Sequence, residues 1–230
     1  SELPMVKKSE NYQKILKPKI SLKIGPENDK NVSDQYNKLN VNNIYNLERI
    51  SASDNVEGGV SLTYGNEFIL SDKKNANEIL SLKFANNIRL KENDNLPKNN
   101  QLSAKTSNFF GEVSFAPNKI INTKYEFSTK NNLQEISYEN IGAEININNF
   151  VTSFEYLNEN NTSEKNSYIL NRSTYFLDEA NNISFSTRKN KKTNLTEYYN
   201  LIYQYKNDCL IASLEYNKDY YNDRDIKPEE

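Results

Sequence analysis

Few residues of this chain could do chemistry, and their types narrow the choice. The 230 residues hold one cysteine, Cys209, and no histidine. Without imidazole, the commonest general base and the commonest metal ligand are both missing, and a serine–histidine–aspartate triad is excluded. A lone cysteine closes no disulfide within the chain. It is a small buried apolar group, a free thiol, or half of a bridge to something outside this sequence. Carboxylates such as Glu139 and Glu144 lie beside turns and read as solvated charges. Asp223, Asp225, Glu229 and Glu230 could hold a cation, but an acidic surface turn is the better reading. No glycine-rich phosphate loop occurs. The expectation is a protein that is not an enzyme and has no metal and no cofactor.

One charged stretch stands apart. Val56-Glu57-Gly58-Gly59 closes an irregular segment just before a strand. Paired glycines at such a place point to a close backbone approach or a bulge. Arg49, Asp54 and Glu57 could bridge charges over it. An ordinary turn with exposed charges fits equally well.

The elements that must position these residues read as strands. Tyr199, Leu201, Tyr203 and Tyr205 share one parity, as do Leu210, Ala212, Leu214 and Tyr216. Alternate strand side chains point to opposite faces, so the hairpin around Lys206-Asn207-Asp208 has an apolar and a polar side. On this spacing Cys209 shares the polar side with Ser213 and Glu215. The same alternation runs over Leu16–Ile24, Val60–Tyr64, Leu80–Phe84, Gly111–Phe115, Ile121–Phe127, Ile141–Ile147, Phe150–Tyr156 and Ile183–Thr187. Residues 1–14 read as a loop. The faces of Ser167–Leu177 stay unassigned because both parities carry apolar groups. Gly25–Asn43 and Ile88–Ala104 read as long polar connections, a class that is usually functional or disordered.

The pattern gives roughly eleven strands and no sustained helical period, hence an all-β antiparallel up-and-down meander. Short turns (116–119, 148–149, 179–182, 206–208) alternate with longer loops (25–56, 88–108, 157–166, 189–194). A net charge of −2 argues against a nucleic-acid surface. Mean hydropathy of −0.87 is lean for a globule, but less so if apolar residues occupy only every second strand position. No apolar run is long enough for a transmembrane helix, and Ser1-Glu2-Leu3-Pro4 does not open a signal peptide. Two architectures fit. A soluble sandwich, such as a carbohydrate-binding or adhesive module, would seal the apolar faces between sheets. A transmembrane barrel, porin-like or other, would turn them to lipid. The alternation of short turns and long loops, the strand lengths and the tyrosines near strand ends favour the barrel.

Residues 46–65, NLERISASDNVEGGVSLTYG, resemble a loop-and-strand signature of the LptD family, which assembles lipopolysaccharide at the Gram-negative outer membrane. STRKN (186–190) and residues 199–230 are similar to that family's C-terminal region. The likeness covers essentially the whole chain. It implies part of a large outer-membrane β-barrel. Residues 1–230 would be one segment of the C-terminal barrel domain, with the N-terminal jellyroll, the first strands and the last strand absent. The partners implied are lipopolysaccharide, an LptE-type lipoprotein plug, and a periplasmic transport bridge reached through the absent N-terminal domain. Arg49, Asp54, Glu57, Gly58, Gly59, Asp223, Arg224 and Asp225 fall in the matching motifs as structural residues. Cys209 matches the cysteine that the family bridges to its N-terminal domain, although the adjacent cysteine of some members is Leu210 here. Lys83, Lys124 and Arg188, on polar faces, are the basic residues expected to meet phosphate groups.

Overall fold

The computed structural model describes residues 1–26, 30–50, 56–160 and 165–220. Asp54, Asp223, Arg224 and Asp225 lie outside the described residues. The described residues hold twelve strands and no helix. They are β1 (Met5–Lys8), β2 (Tyr12–Gly25), β3 (Gly59–Asp72), β4 (Glu78–Arg89), β5 (Phe109–Phe115) and β6 (Ile121–Thr129). Then come β7 (Ile136–Ile147), β8 (Phe150–Asn160), β9 (Lys165–Phe176), β10 (Asn181–Asn190), β11 (Thr196–Lys206) and β12 (Ile211–Asp219). Each strand is hydrogen-bonded to its neighbours in sequence, which is the expected meander. Among the described residues there is one sheet and no second one over the apolar side, and Leu210 and Leu214 are 55% and 74% exposed.

The twelfth strand corrects the reading of residues 1–14 as a loop. Met5–Lys8 pairs antiparallel with Gln13–Leu16. All four of its residues are exposed, so pairing defines this strand while no buried face marks it. Val60–Tyr64 and Phe68–Leu70 belong to the single strand β3, and β5 begins two residues before Gly111. The chain packs as two compact units. The first comprises residues 1–117, 124–140 and 159–165; the second comprises 118–123, 141–158 and 166–230.

In the first unit the register places Ile20, Tyr64 and Asn86 side by side, and Leu22, Leu62 and Ile88 beside them. Ile20, Leu22, Ile24, Tyr64 and Ile88 on this face are exposed. The opposite face carries Lys17, Lys19, Lys23, Ser61, Thr63, Glu67, Ser81, Lys83, Asn87, Arg89 and Glu112. The sequence implied that such a face is wet. Over β3–β5 it is dry instead: Ser61, Thr63, Ser81, Asn87, Arg89 and Glu112 are all buried.

What covers them are the two connections expected to be merely polar. Residues 30–50 and 90–108 supply Val32, Leu39, Val41, Ile44, Ile50, Leu96 and Leu102, which cluster with Ala85 and Phe110. Ile44, Leu96 and Leu102 have no exposed surface. Asparagines tie the two loops together. Asn37 Nδ2 donates to Arg49 O (2.8 Å), while Asn99 and Asn100 donate to Asn37 O (2.8 and 3.0 Å). The asparagine-rich spacing therefore encodes turns and side-chain-to-backbone bonds around a small core.

A bulge joins this loop core to the sheet. Pairing runs from Ala85↔Phe110 to Ile88↔Thr106, three steps on one strand against four on the other. Asn86 Nδ2 donates to the carbonyls of Ser107 and Asn108, both at 3.1 Å. Asn108 Nδ2 reaches Ser128 (2.9 Å) and Ser137 (3.3 Å), carrying the buried polar network onward.

In the second unit the register settles the ambiguous stretch. Tyr168, Leu170, Arg172 and Thr174 lie with Ser184, Ser186 and Arg188; Ile169, Asn171, Ser173 and Tyr175 lie with Ile183, Phe185 and Thr187. Each face of β9 mixes types, which is why alternation alone could not assign it. In the closing hairpin Tyr199, Leu201, Tyr203 and Tyr205 face Lys218, Tyr216, Leu214 and Ala212. Phe185 stacks on Tyr199 with ring centroids 6.2 Å apart.

Candidate functional site

The polar face gathers most of the sequence-derived candidates. At its loop end, Gly59 opens β3 with a φ of +85°, in the left-handed region that glycine adopts freely. Gly25 pairs with Gly59, and a Cβ on Gly25 would collide with the Glu57 carbonyl. This close approach brings Glu57 over the sheet. Arg49 grips it with two prongs, Nε to Oε2 at 2.7 Å and Nη2 to Oε1 at 2.6 Å. Arg89 Nη1 adds a third bond to Oε1 at 2.6 Å, and Lys23 Nζ a fourth to Oε2 at 3.0 Å. Arg89 also donates to Gly58 O. Arg49 Nη1 and Nη2 continue to Thr63 (2.9 Å) and Ser61 (3.0 Å). The side chains of Arg49, Glu57 and Arg89 are each 1% exposed, so this is no turn of solvated charges.

Burial would push the Glu57 carboxyl up. The hydrogen bonds and charge of Arg49, then those of Lys23, outweigh it and hold the carboxyl at about 2, below its ordinary 4.5. Sequence reasoning paired Arg49 with Glu57 but missed Arg89 and Lys23. Both are separated from Glu57 by more than 30 residues, and only the strand register brings them in.

Further along the same face a ladder of alternating charge crosses five strands, β2 to β6. Lys19 pairs with Glu67 (2.8 Å), Lys83 with Glu112 (2.8 Å), and Lys124 with Glu112 (3.0 Å). The register sets Lys17, Glu67, Lys83 and Glu112 directly opposite one another. Asn42 docks the loop core onto this ladder by donating to Glu112 Oε2 at 3.2 Å. Lys83 and Lys124 thus share one carboxylate. Lys124 keeps half of its side chain exposed, whereas Glu112 is 4% exposed.

In the second unit Arg188 lies over the Tyr168 ring, 4.2 Å from its centroid, and its Nε is 2.7 Å from Glu197. That nitrogen makes no aligned hydrogen bond, so the pair is a charge contact. Asn190 Nδ2 fixes the other Glu197 oxygen at 3.1 Å. Cys209 corrects an expectation: it sits in the turn between β11 and β12, not on a strand face beside Ser213. The turn spans 207–210, two residues beyond Asp208, because Asn207 Oδ1 accepts from the backbone N–H of both Cys209 (3.0 Å) and Leu210 (2.8 Å). The thiol is exposed and free.

Among the described residues no cluster of histidine, cysteine or carboxylates could hold a metal ion. No curated protein matches the chain. Residues 1–188 match a family whose description reads LPS transport system D. That span includes the 46–65 motif and ends before the hairpin that carries Cys209. With more than half of its length matched, the chain belongs to the LptD family, the lipopolysaccharide transport and assembly proteins of the outer membrane.

Proposed function

We propose that this chain is a segment of the C-terminal β-barrel through which lipopolysaccharide is inserted into the outer leaflet. Its apolar face meets lipid and its polar face looks inward. One observation carries the reading: within each unit of the antiparallel meander a row of large apolar side chains stays exposed, Ile20, Leu22, Ile24 and Tyr64 in the first and Leu201, Tyr203, Leu214 and Tyr216 in the second, while the opposite face is hydrogen-bonded and charged. In water an exposed apolar face of this extent would aggregate; in a bilayer it is solvated. The amphiphile's sugar head needs a polar route, and its tails belong in lipid, since keeping them in water costs ~0.8 kcal/mol per CH₂. The partners are lipopolysaccharide, an LptE-type lipoprotein plug inside the barrel, and the periplasmic bridge that delivers the cargo.

Cys209 supports this orientation. Outer-membrane barrels have short periplasmic turns and longer outer loops, and Cys209 occupies one of the short turns. In this reading the exposed Cys209 thiol lies on the oxidising side and bridges to the N-terminal domain. The test is the mobility of the full-length protein on a non-reducing gel, with Cys209→Ser alongside. A species that shifts on reduction and is lost in Cys209→Ser is expected. Identical mobility of both proteins, with and without reductant, would remove the bridge.

A further inference from the structure

The apolar face of the first unit is not flat. A trough of about 540 Å³ crosses it at mid-strand, lined by Leu3, Pro18, Ile20, Tyr64, Phe84 and Phe109 among others. Its origin lies in the register. Pro18, Asn66, Phe84 and Gly111 form one row across β2–β5. Three of the four are short, whereas the next row is Leu16, Phe68, Leu82 and Val113. Gly111's gap is filled by Phe127, whose ring stands where a Cβ would go. Over Pro18 and Asn66 the row stays open, walled by Tyr64 and by Phe84, which stacks on Phe109 at 5.8 Å.

We infer that this trough holds one acyl chain of a bilayer phospholipid in a fixed position on the outer wall. The inference rests on the reading that this face meets lipid. The trough is continuous with exposed Ile20 and Tyr64, so what solvates that face also fills the trough. Its volume lies within the ~300–1,000 Å³ of small-molecule sites. It lies at the middle of β2, β3 and β4, where a bilayer presents chains and not headgroups. Lys19 and Ser1 also border it: Lys19 belongs to the opposite face and is paired with Glu67 at 2.8 Å, and the Ser1 nitrogen donates to Ile20 O at 2.8 Å. The walls made by Ile20, Tyr64, Phe84 and Phe109 suit an acyl chain.

The full-length protein would be reconstituted in vesicles of phosphatidylethanolamine, a fraction carrying a photoactivatable diazirine in the acyl chain, and the labelled peptides mapped. Label is expected to concentrate on Tyr64, Phe84 and Phe109 relative to Leu22 and Leu62 on the same face. Asn66→Phe, which fills the trough, should reduce the label there to the level of Leu22. Asn66→Ala, which leaves the trough open, should preserve it. Even labelling of the whole face, indifferent to Asn66→Phe, would overturn the site and leave the lipid-facing reading intact. No label anywhere on the face would overturn both. Displacement of the label by added lipopolysaccharide would assign the trough to the cargo and contradict a resident phospholipid.

Discussion

Glu57 is one carboxylate set against three cations, and its protonation decides whether they repel. Its carboxyl is held at about 2 in the fold, against 4.5 ordinarily. A depressed pKa adds stability that is fully present above pH 4.5 and is lost as the pH falls toward about 2. Protease resistance of the loop core should therefore decline across that window in the wild type. Glu57→Gln, which has no proton to gain at that position, should be weaker above the window, decline less steeply within it and meet the wild type as the pH nears about 2. Removing the carboxylate outright, as in Glu57→Ala, leaves three cations without their shared partner and should cost about 3–5 kcal/mol. The basic candidates behave differently. Lys83 is committed to Glu112 beneath the loops, whereas the Lys124 and Arg188 side chains are 50% and 38% exposed. Charge reversal at Lys124 or Arg188 in the full-length protein should lower lipopolysaccharide delivery to the surface; unchanged delivery would remove their role. Arg49 and Glu57 were legible as a pair because they lie eight residues apart just before a pair of glycines. Arg89 was not, because nothing local links residue 89 to residue 57.

At the scale of elements, the alternating strands were readable because each keeps one parity of large apolar groups. β1 was not, having no buried face, and β9 was ambiguous because asparagine, serine and arginine interrupt both faces. The loops hid the most. Val32, Leu39, Val41, Ile44, Leu96 and Leu102 follow neither a period of 2 nor one of 3.6, so periodicity is blind to them. Their burial depends on asparagine-driven turns and on a bulge that no single residue announces. Truncating Ile44 or Leu96 to alanine should cost about 2–5 kcal/mol of local stability, since both side chains are wholly buried. Limited proteolysis should then cut within 30–50 and 90–108 while β10–β12 stay protected. Loss of the entire β signal on either substitution would show that the loops are no separate layer over the strands.

For the whole molecule the claim is that one face of the meander is solvated by lipid. The register sets adjacent residues of β12 on opposite faces: Leu214 lies opposite Tyr203, and Ser213 opposite Gln204. Leu214 is 74% exposed and continues an exposed apolar row with Leu201, Tyr203 and Tyr216, the kind of contiguous patch that lipid solvates. The most direct measurement places a fluorophore at Leu214→Cys or Ser213→Cys in the full-length protein, with Cys209→Ser as background, in vesicles of brominated-chain lipid. The label at position 214 should be strongly quenched by the bromines and the label at position 213 spared. Equal quenching at both positions, or stronger quenching at 213, would contradict the account.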